Sequence, residues 1–149
     1  MDKVAEYHVP NGPLLGQLKA KKKVELEDGT VLDGHDFVGQ PRPGRTVTII
    51  YDTRPTPSIG ELADNADVLI HESTFSGADA KMAHRYYHST CIDAAKVASQ
   101  RNVGTLYLTH ISARYIGRNG RELENEARRV FKETYLATDL SSFEVDVRG

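Results

Sequence analysis

Thr46-Val47-Thr48-Ile49-Ile50-Tyr51-Asp52-Thr53-Arg54-Pro55 is the stretch that sets the architecture. Its first six residues are β-branched or aromatic and read as a strand, which runs straight into Asp52. The pattern recurs twice downstream. Asp67-Val68-Leu69-Ile70 predicts a buried strand ending at His71-Glu72, and Thr105-Leu106-Tyr107-Leu108 predicts another ending at Thr109-His110. Helical spacing fills the intervals. Ser58 to Ala66 places Ile59, Leu62 and Ala63 on one face, and Ala78 to Tyr86 is a second helix. Thr90 with Asp93 three residues later predicts a capped start for a third, running through Arg101 with Ile92, Ala95, Val97 and Ala98 inward. Glu122 to Lys132 predicts a charged amphipathic helix, and Phe143-Glu144-Val145-Asp146-Val147 a closing strand. Strand and helix in alternation from residue 46 onward imply an α/β layered architecture.

The segment before it has a different texture. Turn-forming residues are frequent (Pro10, Asn11, Gly12, Pro13, Gly16, Gly39, Pro41, Pro43, Gly44) and long apolar runs are missing. Val24-Glu25-Leu26-Glu27, a turn at Asp28-Gly29, and Thr30-Val31-Leu32 predict a small hairpin. Lys19, Lys21, Lys22 and Lys23 form a basic knot beside it. Two regions result: residues 1–45, an arm or excursion with its connecting hairpin, and residues 46–149, the layered part.

Composition bounds the function classes. The 149 residues are 39% hydrophobic and 27% charged, with a formal net charge of -2. No apolar run approaches the roughly 18 residues of a membrane span, and Met-Asp-Lys-Val-Ala-Glu lacks the apolar stretch of a signal peptide. One cysteine, Cys91, excludes an internal disulfide framework, suits a reducing cytoplasm and reads as packing. The expectation is a cytoplasmic chain with no membrane partner. Near-neutral charge excludes a generally basic nucleic-acid binder but not a local basic patch.

Chemistry is expected where the strands end. In layered α/β folds, groups just beyond the carboxyl ends of strands converge on one rim. Asp52, His71, Glu72 and His110 occupy that position, and nitrogen and oxygen donors without thiolate suit zinc or another divalent ion. Singly, such an Asp caps a turn and such a His is structural; three strand ends in succession favour a site. His88 precedes the helix cap Ser89-Thr90, where an imidazole could meet a phosphate oxygen or a leaving group; otherwise it is a surface residue flanking the cap. His8, His35 and His84 read as surface residues. Among the basic residues, Arg42, Arg45, Arg118 and Arg121 read as solvated. Arg54 and Arg114 each follow a candidate site residue and could neutralise a phosphate. The lysine knot could contact an RNA backbone without reading its sequence.

Four motifs together carry a family resemblance. Asp52-Thr53-Arg54-Pro55, His71-Glu72-Ser73-Thr74-Phe75, His88-Ser89-Thr90 and Leu108-Thr109-His110-Ile111-Ser112-Ala113-Arg114-Tyr115 resemble the ribonuclease Z family, tRNA 3′-processing endonucleases of the metallo-β-lactamase superfamily. Their order is similar to the C-terminal half of the bacterial short form. Pro10-Asn11-Gly12-Pro13-Leu14-Leu15-Gly16-Gln17-Leu18-Lys19 resembles the family's flexible exosite arm. The resemblance implies the C-terminal half of a metallo-β-lactamase αββα sandwich preceded by that arm. It implies two zinc ions per complete site, with Asp52 bridging and His110 a terminal ligand. It also implies that His88, oriented by Glu72 and beside His71, donates a proton or stabilises the phosphate. The implied reaction is attack of a metal-bridged hydroxide on precursor tRNA, releasing the 3′ trailer. Arg54 and Arg114 would meet phosphate, and Gly12, Pro13, Lys19, Lys21, Lys22 and Lys23 would hold the tRNA elbow.

The departures matter as much. Tyr51 stands where the family usually has Gly, and Ser73 where it has Ala. The family's His-x-His-x-Asp-His motif is absent, and no His-x-His occurs anywhere in the sequence. Asp52 and His110 alone cannot supply about four ligands to each of two ions. The isolated chain is therefore expected to be inactive and to pair with an N-terminal half of the same enzyme or with itself; the complete enzyme is expected to be a homodimer. Two alternatives stay open: a non-catalytic tRNA-binding or interaction module, and another metallo-β-lactamase-type phosphodiesterase.

Overall fold

A computed structural model describes residues 3–40, 44–115 and 118–146. Pro41, Arg42, Pro43 and Val147, which enter the sequence reading, lie outside the described residues, as does the side chain of Arg118. The chain divides into two compact units, Met1–Pro43 and Gly44–Gly149.

The first unit holds helices α1 (Lys3–Glu6) and α2 (Pro13–Lys19) and strands β1 (Lys23–Glu25) and β2 (Val31–Asp33). The strands pair antiparallel with Val24 opposite Leu32, as the hairpin pattern predicts. The turn closes through Gly29 at φ 80, and the Asp28 carboxylate accepts the Thr30 N–H at 2.9 Å. Val9, Leu18, Val24 and Leu32 are buried together in a small cluster of this unit's own. Gly34 is required by close approach: a Cβ there would sit 2.6 Å from the Leu18 carbonyl oxygen and 2.7 Å from that of Lys22.

The second unit is a four-stranded parallel sheet, β3 (Val47–Ile50), β4 (Val68–Glu72), β5 (Thr105–Thr109) and β6 (Thr134–Leu136), whose spatial order is its chain order. Helices α3 (Pro57–Ala63), α4 (Ala80–Tyr86), α5 (Cys91–Gln100) and α6 (Arg118–Arg128) occupy the intervals. Alternation along each strand gives the sheet two unlike faces. Ile50, Leu69, Leu106 and Leu108 pack in one buried cluster with Ile59 and Ala63 of α3, Cys91, Ala94, Ala95 and Ala98 of α5, and Leu123 and Ala127 of α6. The small side chains of α5 let the helix lie close on the strands. The row Ile49, Ile70, Tyr107, Tyr135, in register across all four strands, faces the other way. There Val47 and Tyr135 are exposed and Ile49 is 64% exposed.

Two expectations at the C-terminal end are corrected. The last helix runs Arg118–Arg128, four residues earlier than predicted. The N–H groups of Val130 and Phe131 both return to the Ala127 carbonyl, and the Arg128 Nε–H reaches the Thr134 carbonyl, closing the helix before Phe131. The final strand is Thr134–Leu136, pairing with β5; residues 141–146 form none. That edge of β5 is already occupied, and Phe143 instead stacks on Tyr107 at 3.7 Å between ring centres. Among the described residues no helix is long and apolar enough to cross a membrane.

Candidate metal centre

Three neighbouring strands end on one rim. Asp52 follows β3, Glu72 closes β4 and His110 follows β5. Asp52 and His110 both adopt left-handed backbone, at φ 48 and φ 55, a costly conformation for non-glycine residues. The fourth member, His88, comes from the link between α4 and α5. Tyr87 ends α4 at φ 62, and the His88 N–H returns to the Ala83 carbonyl at 2.9 Å. The Thr90–Asp93 capping box then starts α5, as the sequence spacing predicts. A parallel bridge between Phe75 and Thr90 ties this link to the segment after β4.

Glu72 is the buried centre of the arrangement, with no exposed surface. Its Oε1 accepts the N–H groups of Thr53 (3.1 Å) and Ser89 (2.9 Å). Its Oε2 accepts both the N–H and the hydroxyl of Thr74, each at 2.9 Å. These donors come from the segments after β3 and β4 and before α5, so one carboxylate pins three chain segments. His88 Nδ1 lies 3.2 Å from Glu72 Oε1 and 3.4 Å from Asp52 Oδ1. The His88 and His110 rings stand 5.4 Å apart, and Tyr51 presents an edge contact to His110 at 4.9 Å. Tyr51 leans outward, 63% exposed.

Asp52, His88 and His110 each offer a ligand atom, all within 4.8 Å of one another. Two nitrogens and an oxygen, on a site open on the Asp52 side, fit a divalent ion of borderline softness with coordination positions left over. Three donors suit one ion and fall short of two. Asp52, Glu72, His88 and His110 thus come together. His71 does not join them: it sits within β4 in register with Ile50 and Leu108, facing the helices, with Nδ1 against the Glu72 carbonyl at 2.6 Å. Burial pushes its pKa below the usual 6.5. Arg54 lies over the Tyr87 ring at 5.2 Å and, with His84 and His88, lines a cavity of about 570 Å³ walled by Pro55, Pro57 and Ala83. Arg114 lies over Phe75 at 5.7 Å and donates to the Met82 sulfur. Gly12, Pro13 and all four lysines are exposed and belong to the other unit. Sequence reasoning passed over Thr74, whose position two residues after Glu72 was the available signal; His84 is exposed, as read from the sequence.

No family model matches the chain. It is 72% identical over its full 149 residues to the ribonuclease Z of Lactobacillus johnsonii, covering 48% of that protein. The chain spans about half the length of the curated relatives it matches. Its fold is similar to the crystal structure of human tRNase Z, short form, with TM-score 0.55 and 27% identity over 78% of this chain and 37% of that one. It is similar also to the metallo-β-lactamase fold protein YhfI from Bacillus subtilis, with TM-score 0.56 and 27% identity over 72% of this chain and 39% of that one.

Proposed function

Because the chain is, over its whole length, a homologue of about half of ribonuclease Z, we propose that it supplies the later half of an endoribonuclease that removes the 3′ trailer from precursor tRNA. The observation that carries this reading is the convergence of Asp52, His88 and His110 above the buried Glu72. Asp52 and His110 would hold zinc. The ion, when bound, supplies an activated water and offsets charge on the phosphate.

The chain's own residues do the rest. Glu72 holds His88 at Nδ1, which leaves Nε2 for the reacting groups. In its doubly protonated form His88 gives its Nε2 proton to the leaving 3′-oxygen as hydroxide, formed when the activated water releases a proton to solvent, bonds to phosphorus and the P–O3′ bond breaks. The tRNA leaves with a 3′-hydroxyl and the trailer with a 5′-phosphate. Arg54, which lines the cavity with His88, neutralises phosphate, and so does Arg114, over the Phe75 ring. His71 keeps the end of β4 in place through the Glu72 carbonyl. Residues 1–45 serve as the arm, with Gly12, Pro13, Lys19, Lys21, Lys22 and Lys23 on the tRNA backbone away from the cut. A precursor tRNA substrate fits a cytoplasmic enzyme.

The chain is inactive by itself in this reading, because three donors cannot complete a two-ion site. The open row Ile49, Ile70, Tyr107 and Tyr135 accepts the missing half of the sandwich or, failing that, a second copy; the completed enzyme forms a homodimer. Labelled precursor tRNA with excess zinc tests this. The chain alone should leave it intact, and the chain mixed with the remaining half of the Lactobacillus johnsonii relative should release the trailer. Cleavage by the chain alone refutes its inactivity. A stable two-half complex that leaves precursor tRNA uncut refutes the nuclease reading. If that complex still binds tRNA and loses it when the exposed lysines are changed to alanine, the binding-module reading replaces it.

A further inference from the structure

We infer that Thr74 is a positioning residue: its hydroxyl fixes the tautomer of His110, so that this ring presents a bare Nε2 to the site, and holds the His88 ring in place through Nδ1. This deepens the reading above and rests on it. Thr74 is 8% exposed, and its Oγ1 has three polar neighbours: Glu72 Oε2 at 2.9 Å, His110 Nδ1 at 2.9 Å and His88 Nδ1 at 3.2 Å. A hydroxyl owns one proton and two lone pairs, so one contact is donated and two are accepted.

The direction follows from the carboxylate. Glu72 receives three backbone N–H groups besides this hydroxyl, a surround suited to the anion, which accepts only. If the Thr74 proton pointed to either histidine, two lone-pair oxygens would face each other at 2.9 Å with nothing between them. The proton therefore lies on the Glu72 side, where the bond is charge-assisted. Oγ1 must then accept from the rings. Thr74 gives His110 Nδ1 its hydrogen-bond partner, so the neutral His110 carries its proton on Nδ1. His88 Nδ1–H is shared between Thr74 Oγ1 and Glu72 Oε1, with Asp52 Oδ1 3.4 Å away as a third acceptor. One buried charge thus orders two rings, one directly and one through a hydroxyl. Partners behind a ligating imidazole act in this way on ring orientation and basicity.

The test reads the proton directly, without metal or RNA. Histidine-¹⁵N-labelled chain is examined by long-range ¹H–¹⁵N correlation at about pH 8.5, about two units above the ordinary histidine value. In the parent chain and in Thr74→Ser, His110 should carry its proton on Nδ1. In Thr74→Val, which keeps the shape and removes the hydroxyl, the proton should move to Nε2 while the amide spectrum of α5 and α6 stays unchanged. A parent His110 protonated on Nε2 overturns the inference, even if Thr74→Val does not fold. So does a folded Thr74→Val with the proton still on Nδ1. If tautomers fail while a reconstituted enzyme still trims precursor tRNA, this inference falls alone. If they hold while the reconstituted enzyme cuts nothing, the nuclease reading falls.

Discussion

The two faces of the four-stranded sheet are built from the same strands and have opposite fates. On one, Leu69, Leu106 and Leu108 have no exposed surface beneath α3, α5 and α6. On the other, Ile49, one residue from the buried Ile50, is 64% exposed, in one cross-strand row with Ile70, Tyr107 and Tyr135. Parallel strands normally read as continuous apolar runs because both faces are covered. Val-Leu-Ile is a run of that kind, so the sequence is written for two covers; among the described residues helices cover one face, and Phe143 lies on the other at Tyr107.

The largest effect expected from this contrast is on stability. Leu69→Ala should cost about 3 kcal/mol in urea unfolding of the chain, whereas Ile49→Ala should cost less than about 0.5 kcal/mol. Equal costs would mean that the open face is covered in solution. Next in size is association: Ile49→Glu should abolish co-purification with the remaining half of the Lactobacillus johnsonii relative and leave the unfolding midpoint of the isolated chain nearly unchanged. A mutant that still co-purifies would place the partner elsewhere.

The faces should also part company with pH. His71, on the covered face, has its pKa lowered mainly by burial, so the folded chain binds fewer protons than the unfolded one just below pH 6.5. Its contribution to stability is complete above that value and is lost as pH falls through the window beneath it. Tyr107 and Tyr135, on the open face, are shifted the opposite way, the first by burial and the second by its hydrogen bond to Glu133. Their contribution is present below pH 10 and is lost as pH rises past it. Unfolding midpoints at pH 5, 7.5 and 10.5 should therefore show losses at both ends, and His71→Gln should flatten only the acid limb. The smallest effect is kinetic. Burial, followed by the nearby Glu126, pushes the Cys91 thiol up to about 12, so iodoacetamide at neutral pH should modify it only as fast as α5 opens. Rapid labelling of the native chain would show that the covered face is loosely closed.

Much of the rim was legible because strand patterning marks where a strand stops, and Asp52, Glu72 and His110 stand at those stops. The Thr90–Asp93 cap was legible for a similar reason, since its chemistry is local. What sequence could not resolve was direction. His71 and Glu72 are adjacent letters, yet alternation sends one under the helices and the other into the site. The spacing of Thr74 from Glu72 was readable, but its contacts with residues 14 and 36 positions away were not. The register of α6 slipped because a charged helix with only Leu123 and Ala127 as fully buried apolar anchors leaves its ends to capping contacts that no periodicity records.

Chain order and spatial order coincide in the sheet, β3-β4-β5-β6. Each strand therefore finds its partner already at the growing edge and never has to wedge between two that have paired. Such a sheet can be laid down during synthesis, one strand at a time. The same habit makes the process open-ended: among the described residues no strand pairs with the outer edge of β3 or β6, and β6 is only three residues long. A short margin is a poor template for another chain's strand. An edge so brief gives edge-to-edge growth little to build on.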